Sequence, residues 1–413
     1  MEKKAYRYVI VGGGLAAASA AEGIREVDPE GSVIMIGRET RPPYHRPPVS
    51  KGILLGSKKP EDTACKPEDF YQKGSIDLET GVSGKLLDPA GRTIELDDGR
   101  VLAYEKLLLA TGSRARRLRV TGSDLQGIHT LRTLDEALAL KDAMNGAGAA
   151  VVIGGSYIGA ESASALAQNG IQTTMVFPED RLLQGLTDPD FGHYLHSLFE
   201  KQGVSILNGR KPKQFNGEGR VASVTTDRNE EIPADLVVMG VGAELNTELA
   251  REAGLEMAGD GGVRADALLR SSDEDIFVAG DIAEVPDPTF GKRLRLEHWE
   301  VALLQGKAAG RNMAGAGESF DGLPHYFSTL FDCGFSVWGD FSNWDQTLLK
   351  GEMGRPGSSI LYMEADRLAG ILQFEPVDKE EAQAIEGVVR KRPSLGEVEA
   401  LVRNEAATIR DSV

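Results

Sequence analysis

An α/β fold with two dinucleotide-binding units and a further α+β segment is predicted by this sequence on three observations. A strand–glycine turn–helix–strand pattern occurs twice, a third apolar run ends in Gly280-Asp281, and the composition is that of a chain able to fill a large core. Of the 413 residues, 41% are hydrophobic and 26% charged. That is enough apolar material for two to four domains and too much for a disordered chain.

The first copy of the pattern reads "YRYVIVGGGLAAASAAEGIREVDPEGSVIMI" over residues 6–36, and the second "AAVVIGGSYIGAESASALAQNGIQTTMVFPE" over 149–179. Each is an apolar strand, a glycine-rich turn, an alanine-rich helix and a second apolar strand. This is the βαβ setting in which a turn can present helix N-terminal amides to a pyrophosphate. In the first copy Gly12 permits the tight turn, Gly14 leaves room for the phosphate to approach, and Ala17 lets the helix lie close to the strand. In the second, Gly154 and Gly159 hold the outer positions. Ser156 takes the middle one, a residue small enough to fit and able to donate a hydroxyl to phosphate. Tyr157 and Ile158 complete that turn. Two Rossmann-like units suggest two dinucleotides, and the natural pair is a flavin and a nicotinamide.

Charge and cysteine usage narrow the function. Lys and Arg number 46 against 63 acids, for a net charge of −17. Such a chain repels the phosphates on which general nucleic-acid affinity rests. Cys65 and Cys333 lie too far apart in sequence for a CxxC redox pair or a zinc site, and no metal-ligand set is read. No apolar run approaches the ~18–20 residues that cross a bilayer. Met1-Glu2-Lys3-Lys4 runs directly into the first strand, so a cytoplasmic location is expected.

Further strings fall in order along the chain: "RPPYHRPPVSKGIL", "LLLATGSRAR", "DIFVAGDIAEVPDP" and "RLRLEHWEVALLQGKAAGRNMAG". With the two turns, they resemble the flavin-dependent pyridine-nucleotide disulfide-reductase fold. The likeness is greatest to its branch of oxygenase-system ferredoxin reductases and apoptosis-inducing factor. The resemblance implies an FAD domain of residues 1–113 and 247–323, with an NAD(P)H domain of 114–246 inserted in it. A C-terminal α+β domain of 324–413 closes the flavin from one side.

It also implies roles. Lys51, in a segment that four prolines stiffen, belongs beside flavin N5, and Arg46 of the same segment is expected among the cofactor-binding residues. Glu161, two residues after Gly159, would hold its ammonium there against the charge of the reduced ring. Asp281 would accept hydrogen bonds from the ribityl hydroxyls, with Gly280 before it and the backbone of Thr111 and Gly112 close by. Glu297, His298 and Trp299 introduce a helix running to about Met313 whose N-terminus faces the flavin's pyrimidine side. Glu297 is expected near the nicotinamide carboxamide, flanked by His298 and Trp299. Phe327 stands where relatives carry tryptophan against the flavin. At the end of the first unit the acid expected on the FAD ribose is displaced: Arg38 holds that register and Glu39 follows it. In the second unit Glu179, 20 residues after Gly159, is placed to bond the adenosine ribose of NAD and repel the 2′-phosphate of NADP, with Arg181 opposing it.

The implied activity is electron transfer from NADH through FAD to a small iron–sulfur protein, with NADPH the less favoured donor. Two alternatives stand beside it. One is reduction of a small acceptor such as a quinone, an ascorbyl radical or oxygen. The other is a redox sensor like apoptosis-inducing factor. An acidic iron–sulfur partner needs a basic landing surface, and "RARRLR" at 114–119 and "RKR" at 390–392 are the candidate islands. The stretch 325–413 has nine basic against fifteen acidic residues, so no broad basic platform is expected there.

Overall fold

The computed structural model describes residues 4–404 and Ile409, so the outermost ends of the expected first and last domains, 1–3, 405–408 and 410–413, lie outside it. The chain forms two compact units: Met1–His45, Thr63–Arg114 and Glu244–Pro324 make the first, and Arg46–Asp62, Ala115–Ala243 and His325–Val413 the second. Residues 115–243 of the expected stretch 114–246 and 325–413 of the C-terminal segment fall in one unit, together with residues 46–62, which carry Lys51.

A seven-stranded sheet organises the first unit. Its strands run Ile76–Thr80, Val33–Gly37, Lys4–Val11, Val101–Leu109, Thr93–Leu96 and Gly84–Asp88, and Ile276–Val278 joins beside Leu107–Leu109. Lys4–Val11 lies parallel to both Val33–Gly37 and Val101–Leu109. Parallel strands need both faces covered, and Val9, Ile10, Leu107, Leu108, Ile276 and Val278 are fully buried.

The helix Leu15–Val27 packs against the helix Trp299–Met313. Small residues bring the two backbones together: a Cβ at Gly306 would stand 2.2 Å from the Ala16 carbonyl oxygen, and one at Gly310 2.0 Å from that of Ala20. The alanines of the first helix therefore serve a helix–helix contact as well as the helix–strand contact that Ala17, fully buried, makes possible.

In the second unit five parallel strands run in the order Ser205–Asn208, Gln172–Phe177, Ala149–Ile153, Leu236–Met239 and Ile128–Thr130. The helix Tyr157–Gln168 follows the central strand. A second five-stranded sheet, antiparallel, is built from His325–Leu330, Cys333–Gly339, Arg367–Phe374, Ser359–Glu364 and Gln346–Lys350. The helices Lys379–Lys391 and Leu395–Arg403 complete this C-terminal segment. Among the described residues no helix is long and apolar enough to cross a membrane.

Candidate active site

In the first unit the strand Lys4–Val11 ends at Gly12, whose amide donates to the Ile36 carbonyl at 2.8 Å. A Cβ on Gly12 would stand 2.2 Å from the Ala110 carbonyl oxygen, so only glycine lets the turn pass there. Gly14 differs. It caps the helix Leu15–Val27, and a Cβ on it would meet nothing within 4 Å. The space beside Gly14 is thus kept by no protein contact. The helix has no side-chain cap and no acid in its first turn, leaving its N-terminal amides to an anion. These features fit a dinucleotide diphosphate.

Asp281 is 7% exposed, and its Oδ2 accepts from Ser113 Oγ at 2.6 Å. The Gly280 amide donates to Gln305 Oε1 at 2.9 Å, which ties the Gly-Asp turn to the helix Trp299–Met313. Thr111 Oγ1 donates to the Asn246 carbonyl at 2.5 Å, and Asn246 Nδ2 donates back to the Thr111 carbonyl at 2.9 Å. The Asn246 amide meets the Gly112 carbonyl at 2.9 Å. Thr111, Gly112 and Asp281 are therefore brought into one unit although about 170 residues separate Gly112 from Asp281. Glu39 is half-buried and accepts from Tyr44 Oη at 2.5 Å, while Arg38 is exposed.

The helix Trp299–Met313 begins as expected, with His298 at its N-cap and no side-chain cap. Trp299 Nε1 donates to His45 Nδ1 at 3.0 Å. Glu297 is exposed and accepts from Arg295, which also donates to the Asp281 carbonyl at 2.9 Å.

The second turn repeats the first in the other unit. A Cβ on Gly154 would stand 2.1 Å from the Gly240 carbonyl oxygen, and one on Gly159 2.1 Å from that of Gly154. Ser156 caps the helix through its backbone, and its Oγ donates to the Gly240 carbonyl at 3.3 Å and accepts no hydrogen bond from the helix amides. Ile158 is exposed. Tyr157 Oη donates to Tyr326 Oη at 2.8 Å, and burial holds both phenols above their ordinary range. Glu179 lies exposed just beyond the strand Gln172–Phe177. Arg181 is turned elsewhere: its Nε donates to the Thr187 carbonyl at 2.8 Å, and its stem lies over Gly192.

Lys51 and Glu161 meet in this unit. Lys51 Nζ donates to Glu161 Oε1 at 2.6 Å, with the side chains 22% and 6% exposed. The carboxylate accepts two more hydrogen bonds, from Ser50 Oγ on Oε2 at 2.5 Å and from Ser328 Oγ on Oε1 at 2.7 Å. The Lys51 ammonium is 5.9 Å from the ring centre of Phe327, which is 37% exposed. Arg46 donates to the Arg132 carbonyl at 2.7 Å.

The profile of the family described as pyridine nucleotide-disulphide oxidoreductase matches residues 6–306. The chain belongs to that family. As a pyridine nucleotide-disulphide oxidoreductase it is an FAD-dependent oxidoreductase that works with NAD(H). It is 35% identical over 362 residues to the ferredoxin–NAD(+) reductase component of the anthranilate 1,2-dioxygenase system of Burkholderia cepacia, covering 87% of this chain and 88% of that protein. It is 31% identical to the peroxisomal monodehydroascorbate reductase 1 of Oryza sativa subsp. japonica, over 98% of this chain and 90% of that one. Among solved structures, the covalent putidaredoxin reductase–putidaredoxin complex aligns with a TM-score of 0.89 at 28% identity, covering 97% of this chain and 99% of that one.

Within this oxidoreductase the cysteines are unsuited to dithiol chemistry. Burial pushes both the Cys65 and Cys333 thiols up to about 11, so neither is a ready nucleophile near pH 7. The two expected basic islands are partly engaged in ion pairs, while Arg116, Arg117, Arg119 and Lys391 lie exposed. Arg114 is paired with Glu244 and Glu248, Arg390 with Glu386, and Arg392 with Glu364. Sequence reasoning missed Ser50, Ser113, Gln305 and Ser328. Each is a single polar residue whose partner lies 25 to 168 positions away, and no spacing rule could have found them.

Proposed function

We propose that the chain is an NADH-dependent ferredoxin reductase, carrying electrons through FAD to a small iron–sulfur protein. The observation that carries this reading is the pairing of two dinucleotide turns with two free cysteines, Cys65 half-buried and Cys333 buried, that form no disulfide. Electrons taken from a nicotinamide then have no protein dithiol to enter and must leave for an external acceptor. Relatives at 35% and 32% identity are named as reductases of ferredoxin and rubredoxin, which favours an iron–sulfur acceptor.

Bound FAD supplies the conversion of one hydride into two single electrons. The chain's residues do the rest. Gly12, Gly14, Ala17 and the amides at the start of Leu15–Val27 hold the diphosphate, and Glu39 takes the adenosine ribose. Asp281, oriented by Ser113, accepts from the ribityl hydroxyls, with Gly280, Thr111 and Gly112 lining that backbone. Lys51 supplies positive charge for the reduced flavin, Glu161 fixes that ammonium, Arg46 braces their segment, and Phe327 offers an aromatic face. The turn from Gly154 through Ser156, Tyr157 and Ile158 to Gly159 holds the nicotinamide dinucleotide. Glu297, His298 and Trp299 receive the nicotinamide end.

Glu179 selects NADH over NADPH, and Arg181, the residue expected to oppose it, has its Nε engaged with the Thr187 carbonyl. The boundaries at 113, 246 and 323 then separate FAD-binding, NAD-binding and C-terminal roles in a cytoplasmic enzyme.

A second reading, reduction of a small acceptor, has one specific support: the rice monodehydroascorbate reductase matches 98% of this chain. Steady-state kcat/KM with NADH, compared across [2Fe–2S] ferredoxins, rubredoxin, benzoquinone and the ascorbyl radical, separates the two. A ferredoxin or rubredoxin at least tenfold better than any small acceptor supports the proposal, and the reverse order overturns it. The same assay with NADPH must give a lower kcat/KM than with NADH, or the role of Glu179 is wrong.

A further inference from the structure

Glu161 carries more hydrogen bonds than an ion pair needs. Three donors converge on its two oxygens: Lys51 Nζ at 2.6 Å, Ser50 Oγ at 2.5 Å and Ser328 Oγ at 2.7 Å. Ser50 is 3% exposed and Ser328 is fully buried. Neither hydroxyl has water as an easy alternative, and each directs its one proton to the carboxylate. A buried carboxylate is stable only when its lone pairs are met, and charge-assisted donors of this kind are the strong ones.

The three donors come from two parts of the chain. Ser50 immediately precedes Lys51 in the proline-rich segment. Ser328 belongs to the strand His325–Leu330, the first of the C-terminal sheet. That strand alternates in the manner of a half-buried edge: Ser328 and Leu330 point inward, and Phe327 and Thr329 outward. Ser328 thus brings the C-terminal segment to the carboxylate that holds Lys51.

We infer that Ser50 and Ser328 are positioning residues that set how much of the Lys51 charge is felt outside the pair. Each hydrogen bond the serines donate to Glu161 draws carboxylate charge away from the ammonium. With both serines in place, the lysine is held but incompletely neutralised. Without one, the carboxylate leans more heavily on Lys51 and has one anchor fewer against turning. This rests on the proposed role of Lys51 toward reduced flavin, and it names two residues that govern that role without touching the reacting atoms.

The test uses the FAD-loaded protein and its Ser50→Ala, Ser328→Ala and double variants. Ser328→Thr serves as the conservative rescue. Ser162→Ala is the control, since Ser162 lies one residue from Glu161 on the same helix, is fully buried, and its Oγ has no hydrogen-bond partner among the described residues.

Two readouts are taken: the flavin midpoint potential by equilibration with a reference dye, and the rate of flavin reduction by NADH in stopped flow with the NADH dissociation constant fitted separately. Each Ser→Ala change is expected to shift the reduction equilibrium toward oxidised flavin by up to tenfold, about 30 mV for a two-electron couple. The reduction rate is expected to fall about three- to tenfold at unchanged NADH affinity. Ser328→Thr should recover most of both, and Ser162→Ala should move neither. A midpoint potential within a few millivolts of wild type in both serine variants, or an equal shift in Ser162→Ala, overturns the inference. Lys51→Met is measured alongside: if it too leaves the potential unchanged, the fault lies in the reading of Lys51, and if it alone shifts the potential, the fault lies in the serines.

Discussion

Replacing Lys51 by methionine keeps an unbranched side chain out to the ε position and removes the ammonium, so it isolates the charge. The structure sets the size of the effect. Lys51 is three-quarters withdrawn from solvent and fixed at 2.6 Å on a carboxylate that is itself 6% exposed, so its charge is preorganised rather than recruited during reaction. Losing such a donor to a developing anion typically slows the step by ~10²–10³, or ~2.7–4 kcal/mol. Glu161→Gln leaves the ammonium but loosens it, and a loss of roughly tenfold is expected by the same reasoning. Because the two side chains act as one unit, the double variant should be slowed by about the Lys51→Met factor alone, not by the product.

Stopped-flow reduction by NADH of wild type, both single variants and the double variant gives all four rates. Fold stability is checked in parallel. Breaking a buried pair usually costs ~3–5 kcal/mol. Ser50 and Ser328 still satisfy Glu161 here and Lys51 retains some solvent, so a loss near or below the lower end is expected. The reasoning is refuted if Lys51→Met reduces at the wild-type rate, or if the two effects multiply.

Other outcomes follow from features already described. Purified protein should carry one non-covalent FAD per chain. Gly12→Val, whose Cβ would meet the Ala110 carbonyl, should lose it, as read from the 450 nm absorbance per mole of protein. Gly310→Val forces a side chain against the Ala20 carbonyl and should destabilise the fold by several kcal/mol, seen as a Tm lowered by roughly 5 °C or more. Both thiols, raised to about 11 by burial, are protonated at pH 7 with a thiolate fraction of only about 10⁻⁴. Alkylation should therefore be slow there and quicken about tenfold per pH unit up to about 11. Rapid modification of either thiol at pH 7 would show that burial does not control it.

How much of this was legible beforehand follows the kind of signal. The units Lys4–Gly37 and Ala149–Phe177 announce themselves because βαβ periodicity and glycine turns are local, and the helix Trp299–Met313 begins and ends where its composition indicated. The strand Ile276–Val278 was readable as buried, but its place beside Leu107–Leu109 was not, since register across about 170 residues leaves no mark in either strand. The C-terminal segment and the Lys51 segment fall in one compact unit with the second dinucleotide turn, a grouping carried by tertiary contacts such as Ser328 to Glu161. The ion pairs of Arg114 within the first basic island are likewise invisible in sequence. Arg114 meets acids 130 and 134 positions away.

The contact between the helices Leu15–Val27 and Trp299–Met313 has a consequence for how the protein is made. About 270 residues separate these helices, and at ~5–20 residues per second a ribosome needs roughly 15–55 s to pass from one to the other. For that interval the alanine face of the first helix awaits a partner not yet synthesised, Leu107–Leu109 in turn awaits Ile276–Val278, and the parallel sheet spanning 128–239 is synthesised in between. Slow translation or a truncated message would therefore leave the N-terminal half as an aggregation-prone nascent chain, and chaperone dependence should track the delay before residue 313 emerges.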